Sequence, residues 1–321
     1  MRRFPCSTIF LSAVSIAAGS TTVSISGTQW QINGKITCSG TAAEGLLMNV
    51  RMVNSTFEDR KRPDFDSDEN TSRFISKIPE YNSFGVLAFT LNLQGGFPGY
   101  EGAVNSAFRP DGTLRKGYLS RIKRVIEECD KHGMVVILGL SYQRQDQILR
   151  DEQSVRRAVV NAVKWVKDSG FTNVVIEIAN EYDHGGFDHD IIKTAKGEVE
   201  MIRLAKKTLP GLLVSASGLG DGRMNELIAK EADFILIHFN GTRVADIPRR
   251  INALKKYGKP IVCNEDDKIG DEAVMALQAC VENGCSWGFM HNRLNQYEPF
   301  EFNGYDDDRK VYDKFRKVAG K

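Results

Sequence analysis

The chain has 321 residues, 41% of them hydrophobic and 26% charged, which is ordinary globular composition with material for a sizeable core. Lysine and arginine number 43 against 41 aspartates and glutamates, and no long basic run occurs. That balance gives no footing to a nucleic-acid or anionic-membrane partner. Beyond the leader no segment approaches the roughly 18–20 consecutive apolar residues of a membrane span, so no membrane association is expected once the leader is removed.

Residues 1–20 read as a signal peptide. Arg2 and Arg3 form a short positive region, an apolar stretch runs from Ile9 to Ala18, and small residues follow. A secreted or periplasmic protein is the expectation. Removing the leader takes Cys6 and leaves Cys38, Cys129, Cys263, Cys280 and Cys285, an odd number. At least one thiol is then unpaired; buried free thiols are expected, with a Cys280–Cys285 bridge left open. Residues 21–42 form an N-terminal hairpin, with Asn33-Gly34 as its turn.

From residue 43 to 321 a rhythm repeats: an apolar run ends in polar residues, a helical stretch follows, and Gly or Pro introduces the next run. The runs fall at 46–53, 86–93, 134–140, 173–179, 212–216, 234–238, 260–263 and 285–290. They lack clean polar alternation, as parallel strands covered by helices do. Between them, Tyr118, Ile122, Val125, Ile126 and Cys129 share one helical face, and so do Val155, Val159, Ala162, Val163 and Val166. Eight such units predict an α/β fold, a single (β/α)8 barrel with a short N-terminal hairpin. A doubly wound open sheet has the same alternation. It would normally carry a glycine-rich fingerprint after the first strand, where this chain has Asn54-Ser55-Thr56-Phe57.

Barrel chemistry gathers at the C-terminal ends of the strands. There the sequence offers Asn54, Asn92, Tyr142, Gln143, Asn180, Glu181, Tyr182, His238, Asn240, Glu265 and His291. Amides, carboxylates and aromatic rings in this density suit a sugar, whose hydroxyls need donors and acceptors and whose CH faces stack on rings. Glu181 ends the fourth strand and Glu265 the seventh, which lie across a closed barrel's mouth from each other. Two carboxyls about 5 Å apart are what a retaining glycosidase uses, one protonated to assist departure and one ionised to attack.

With Val174-Val175-Ile176-Glu177-Ile178-Ala179-Asn180-Glu181 and Ile261-Val262-Cys263-Asn264-Glu265 in view, the chain resembles the clan A glycoside hydrolases. It is most similar to the family 5 cellulase and mannanase group, as a divergent member, over about residues 29–318. The resemblance implies Glu181 as acid/base, Glu265 as nucleophile, Asn180 on the sugar 2-hydroxyl, and His238 at the family's His-x-Tyr position. It implies an oligo- or polysaccharide substrate, hydrolysed with retention and without a cofactor or metal. The departures are specific. Tyr182 replaces the usual proline, Asn240 the usual tyrosine, and Tyr142-Gln143 the usual third-strand histidine; the second-strand arginine is missing. Arg51 reads equally as a partner for interior Glu177 or as a site residue, and Trp287 reads as core. These losses make a non-catalytic carbohydrate-binding barrel the alternative.

Three weaker features complete the reading. Asp183-His184 and His189-Asp190 could ligate a metal, but a hydrogen-bonded loop is the simpler expectation. Asp266 and Asp267 are either sugar contacts or solvated charges. The excursion Gly95-Gly96-Phe97-Pro98-Gly99-Tyr100 forms either a cleft wall or a packed surface loop.

Overall fold

The computed structural model describes residues 20–321; the leader reading lies almost wholly outside them. Eight barrel strands follow in chain order: β1 (Asn49–Arg51), β2 (Ala88–Asn92), β3 (Val135–Ser141), β4 (Val174–Ala179), β5 (Val214–Ser215), β6 (Ile235–His238), β7 (Ile261–Glu265) and β8, split into Cys285–Ser286 and Gly288–Phe289. The intervening helices are α1 (Ser67–Ser83), α2 (Lys116–Lys131), α3 (Glu152–Asp168), α4 (Ala195–Thr208), α5 (Glu226–Glu231), α6 (Ile247–Leu254), α7 (Gly270–Glu282) and α8 (Arg309–Ala319).

All barrel pairings are parallel. The first half of β8 pairs with β7 and the second half with β1, so one interrupted strand closes the cylinder. A bridge from Ser217 to Leu236 joins the β5 end to β6. At the seam, a Cβ on Gly288 would lie 2.3 Å from Asn49 Oδ1 and 2.7 Å from the Asn264 Cα. Only glycine lets β8 lie that close to the β7 backbone and the Asn49 side chain.

Side chains two apart on a strand share a face, so each strand contributes a ladder to the interior. The lower rungs are apolar: Leu47, Ala88, Val135, Ile137, Val175, Leu236 and Val262 pack together, all fully buried. The next rungs are polar and equally buried: Asn49, Thr90, Glu177, Ser215, His238 and Asn264. The interior thus turns from hydrocarbon to hydrogen-bonding groups as it nears the C-terminal mouth.

The N-terminal segment forms an antiparallel three-stranded sheet, Val23–Ser26, Gln29–Ile32 and Lys35–Ile36. Asn33 and Gly34 both take positive φ in its two-residue turn, the geometry that Asn-Gly favours. Its Trp30 joins the lower interior cluster, edge-on to Phe234 at 5.2 Å. The predicted helical stripes on α2 and α3 are buried against the strands' outer faces. All five described cysteines are free, and Cys280 and Cys285 are not bridged. Among the described residues, no helix is long and apolar enough to cross a membrane.

Candidate active site

Two local irregularities bring the glutamates to the mouth. On β7, Cys263 pairs with Ile237 and Glu265 with His238, so two residues of β7 oppose one of β6. This β-bulge bends the strand and re-aims the side chain that follows it. On β4, the chain leaves the strand with Glu181 at φ 51°. A glutamate rarely adopts that left-handed region, which costs about 1–3 kcal/mol and persists only where the surroundings enforce it. Here they do. The Asn180 N–H donates to the Ser141 carbonyl, the Tyr182 N–H to the Ser217 carbonyl, and the Glu181 N–H to Ser217 Oγ at 3.0 Å.

The consequence is a compact group across the barrel mouth. One oxygen of Glu181, one oxygen of Glu265 and a ring nitrogen of His238 all lie within 4.8 Å of one another. His238 Nδ1 is 3.1 Å from Glu181 Oε1 and 3.7 Å from Glu265 Oε2. Arg51 Nε meets Glu265 Oε2 at 2.7 Å, and Asn240 Nδ2 donates to Glu265 Oε1 at 2.5 Å. Arg51 also donates to Asn180 Oδ1 at 2.7 Å, and Asn180 Nδ2 to Gln143 Oε1 at 3.0 Å. Fully buried arginine is rare without a partner, and here it has two.

The electrostatics set Glu265 and Glu177 apart. Burial pushes the Glu265 carboxyl up, but the charges of Arg51 and His238 and the Asn240 amide more than offset it, and the group lies below its ordinary range. Burial raises the Glu177 carboxyl against the pull of Arg51, His238 and Ser217. Burial alone would lower His238, and the two nearby carboxylates, Glu265 and Glu181, reverse that and raise it.

The sequence left Arg51 with two readings, and its contact is with Glu265. Glu177 is held instead by Ser217 Oγ at 2.5 Å and Asn264 Nδ2 at 3.3 Å. Ser217 was not singled out from the sequence, yet it bonds both Glu177 and the Glu181 backbone. No motif could have found it, because its role depends on β5 closing against β4.

The other candidates divide. Tyr142 is buried near enough to Glu265, Arg51 and Glu181 to feel their charges, although desolvation is the main force raising its phenol. Asn92 is fully buried below the mouth, and its side-chain amide has no partner. Asn54 donates to the Gln296 carbonyl at 2.7 Å, tying the loop after β1 to that after β8. Tyr182 packs into the main hydrophobic cluster. His291 caps the helical turn Asn292–Gln296 by accepting from the Leu294 N–H. Trp287 is fully buried, and its Nε1 donates to Asp266 Oδ2 at 2.9 Å. Asp266 also pairs with Lys268 at 2.8 Å, so it is a buried structural acid, whereas Asp267 accepts from Asn292 at 3.0 Å. His189 bonds Asp146 at 2.8 Å and clasps the loops after β3 and β4.

Glu181, His238 and Glu265 are also, among the described residues, the one cluster able to offer three ligand atoms to a metal. A cation there would face Arg51, already bonded to Glu265. Beside the group, the excursion after β2 forms a cleft wall: Phe97, Pro98, Tyr100 and Ala103, with Tyr142, Gln143 and His184, line a cavity of about 580 Å³.

No protein-family model and no curated protein matches the chain. Solved structures do match its fold. A putative glycoside hydrolase from Bacteroides vulgatus ATCC 8482 superposes with a TM-score of 0.66 at 12% identity, covering 92% of this chain and 60% of that one. A GH5-4 broad-specificity endoglucanase from Ruminococcus flavefaciens gives 0.62 at 13% identity, covering 86% and 97%. The exo-β-1,4-mannosidase Op5Man5 from Opitutaceae bacterium strain TAV5 gives 0.59 at 13%, covering 87% and 60%. The chain therefore has a (β/α)8 barrel fold like that of family 5 glycoside hydrolases, at a sequence distance that marks it as divergent from them.

Proposed function

We propose that the protein is an exported glycoside hydrolase that cleaves a β-linked glycan with retention, Glu265 acting as nucleophile and Glu181 as acid/base. The observation that carries this reading is the approach of the two carboxyls, with oxygens within 4.8 Å, while only Glu265 is gripped by an arginine. Retaining glycosidases hold their carboxyls about 5–5.5 Å apart, whereas inverting ones leave about 6.5–9.5 Å for a water. The fold likeness adds support, since the neighbours' names include an endoglucanase and an exo-mannosidase.

In the first step a Glu265 oxygen forms a bond to the anomeric carbon, the bond to the leaving oxygen breaks, and the Glu181 proton passes to that oxygen. In the second, Glu181 takes a proton from water, water oxygen bonds to the anomeric carbon, and Glu265 departs as carboxylate. Arg51 and Asn240 hold the nucleophile ionised and aimed, taking the places of the second-strand arginine and sixth-strand tyrosine. Of the missing partners that suggested a non-catalytic barrel, the arginine and the tyrosine thus have counterparts in contact with Glu265.

The test is hydrolysis of a panel of aryl β-glycosides and polysaccharides by the intact protein and by Glu181→Gln and Glu265→Gln. Loss of turnover on the order of a thousandfold in both variants is expected. Sugar binding without turnover in the intact protein would favour the carbohydrate-binding reading, and inactivation by a chelator would favour a metal centre.

A further inference from the structure

A third glutamate lies beneath the two irregularities that aim Glu181 and Glu265. Glu177 is fully buried on β4, below the mouth, and the two-step displacement does not use it. In the β4–β5 register it stands beside Ser215, so Ser217 lies one rung nearer the mouth. Ser217 Oγ sits 2.5 Å from Glu177 Oε1 and receives the Glu181 N–H at 3.0 Å. That hydroxyl accepts from above, which leaves its single proton to donate below. The other Glu177 oxygen accepts from Asn264 Nδ2 at 3.3 Å, and Asn264 stands within the β7 bulge, immediately before Glu265. His238, whose Nδ1 faces both Glu181 and Glu265, turns its Nε2 toward Glu177 Oε1 at 3.9 Å.

We propose that Glu177 is a positioning residue: it ties the left-handed turn that carries Glu181 to the bulge that carries Glu265, and so fixes the spacing of the two catalytic carboxyls. The inference rests on the glycosidase reading above. Glu181 at φ 51° and a strand that sets two residues against one are both irregular, and such geometry persists only where the surroundings enforce it. Glu177 reaches each through one residue, Ser217 or Asn264. An ionised carboxylate satisfies both at once, whereas a protonated one would set an O–H against the Ser217 hydroxyl or the Asn264 amide, which are donors themselves. Packing alone would favour an apolar residue at this rung, because a buried charge is costly to desolvate and the contact with His238 is long.

The experiment measures kcat and KM on aryl β-glycosides for the intact protein and for Glu177→Gln, Glu177→Leu and Ser217→Ala, with folding checked by circular dichroism and Tm. Glutamine keeps an acceptor for Ser217 but turns a donor toward Asn264, and should lower kcat by about tenfold. Leucine releases both partners and should lower kcat on the order of a hundredfold, the loss that a misplacement of about 1 Å causes. KM should stay within about threefold, since Glu177 acts on the aim of the carboxyls and not on sugar binding. In the Glu177→Leu background, Ser217→Ala should cost at most about threefold more in kcat, because the tie it breaks is already gone.

Parental kcat in folded Glu177→Gln and Glu177→Leu would overturn the assignment, whatever their Tm. If Glu177→Leu does not fold, parental kcat in Glu177→Gln alone decides against it. Losses from Glu177→Leu and Ser217→Ala that multiply in the double variant would also overturn it, because they mark two independent defects. If the intact protein hydrolyses none of the glycosides, the glycosidase reading fails separately. The tie is then judged by crystal structures of the intact protein and Glu177→Gln. A released turn at Glu181 or a shifted Glu265 carboxyl upholds it; a positive φ at Glu181 together with an unmoved Glu265 overturns it.

Discussion

Arg51 gives the site its asymmetry. It is fully buried, contacts Glu265 at 2.7 Å, and reaches Asn180 with its other end. Replacing it by methionine removes the nearest positive charge, so the Glu265 carboxyl moves up and the acid limb of a kcat/KM profile should shift to higher pH. A loss of about ten- to a hundredfold in kcat/KM is expected at the optimum, matching a charge-assisted hydrogen bond of about 1.5–3 kcal/mol. An unmoved acid limb would show that another group governs it. Glu198 on α4 provides a separate test of buried charge. Both its carboxylate oxygens are buried without partners, and burial, aided by Glu177, holds its carboxyl well above the ordinary range. Below the unfolded value of about 4.3 both states are protonated, and above it the unfolded chain releases a proton that the folded one keeps. Stability contributed at this position therefore falls as pH rises. Glu198→Gln, which does not titrate, should raise Tm relative to the parent at pH 8 and match it near pH 4; thermal unfolding across pH checks this. At this scale the sequence made Glu181 and Glu265 legible, because each ends a clear apolar run. It could not choose between Glu177 and the site for Arg51, since Glu177 is also buried in the interior and the β7 bulge that aims Glu265 leaves no mark in the sequence. Nor could it show that Asn240 would reach Glu265.

Strand ends do more than strand bodies here. The bulge on β7 aims Glu265, and the left-handed turn at the β4 terminus aims Glu181. Ser217, just past β5, anchors that turn by accepting from the Glu181 N–H and donating to Glu177. Ser217→Ala leaves both groups without that partner. It should cost about 1–3 kcal/mol of stability, as a buried polar group left unsatisfied does, and lower kcat more than it raises KM. A fall in stability with kcat preserved would confine Ser217 to a structural role. Hydrophobic periodicity located each strand to within a few residues, because burial on both faces leaves a continuous apolar run. The bulge and the split in β8 left no such trace. Both are set by the neighbouring strands: the bulge by pairing with β6, and the split by Cys285–Ser286 serving β7 while Gly288–Phe289 serves β1.

The whole barrel depends on that split strand. Trp287 sits at the interruption, fully buried, stacked near Phe289 at 5.8 Å and bonded to Asp266. Trp287→Ala should destabilise the fold by about 3–5 kcal/mol and lower Tm by several degrees, visible in thermal unfolding. A near-parental Tm would mean the seam is held elsewhere. The barrel itself was legible from the count of eight alternating units. The joining of its loops into a walled cavity was not, because contacts such as Asn54 with Gln296 or Gln145 with Ala103 link segments far apart in sequence. What the closed barrel finally achieves is the meeting of two glutamates from strands on opposite sides. The most direct test is to incubate the intact protein with 2-deoxy-2-fluoro β-glycosides and to map the modified peptide by mass spectrometry. A single glycosyl adduct on Glu265, absent in Glu265→Gln, is the predicted result; an adduct on another residue, or hydrolysis that inverts the anomeric configuration, would contradict it.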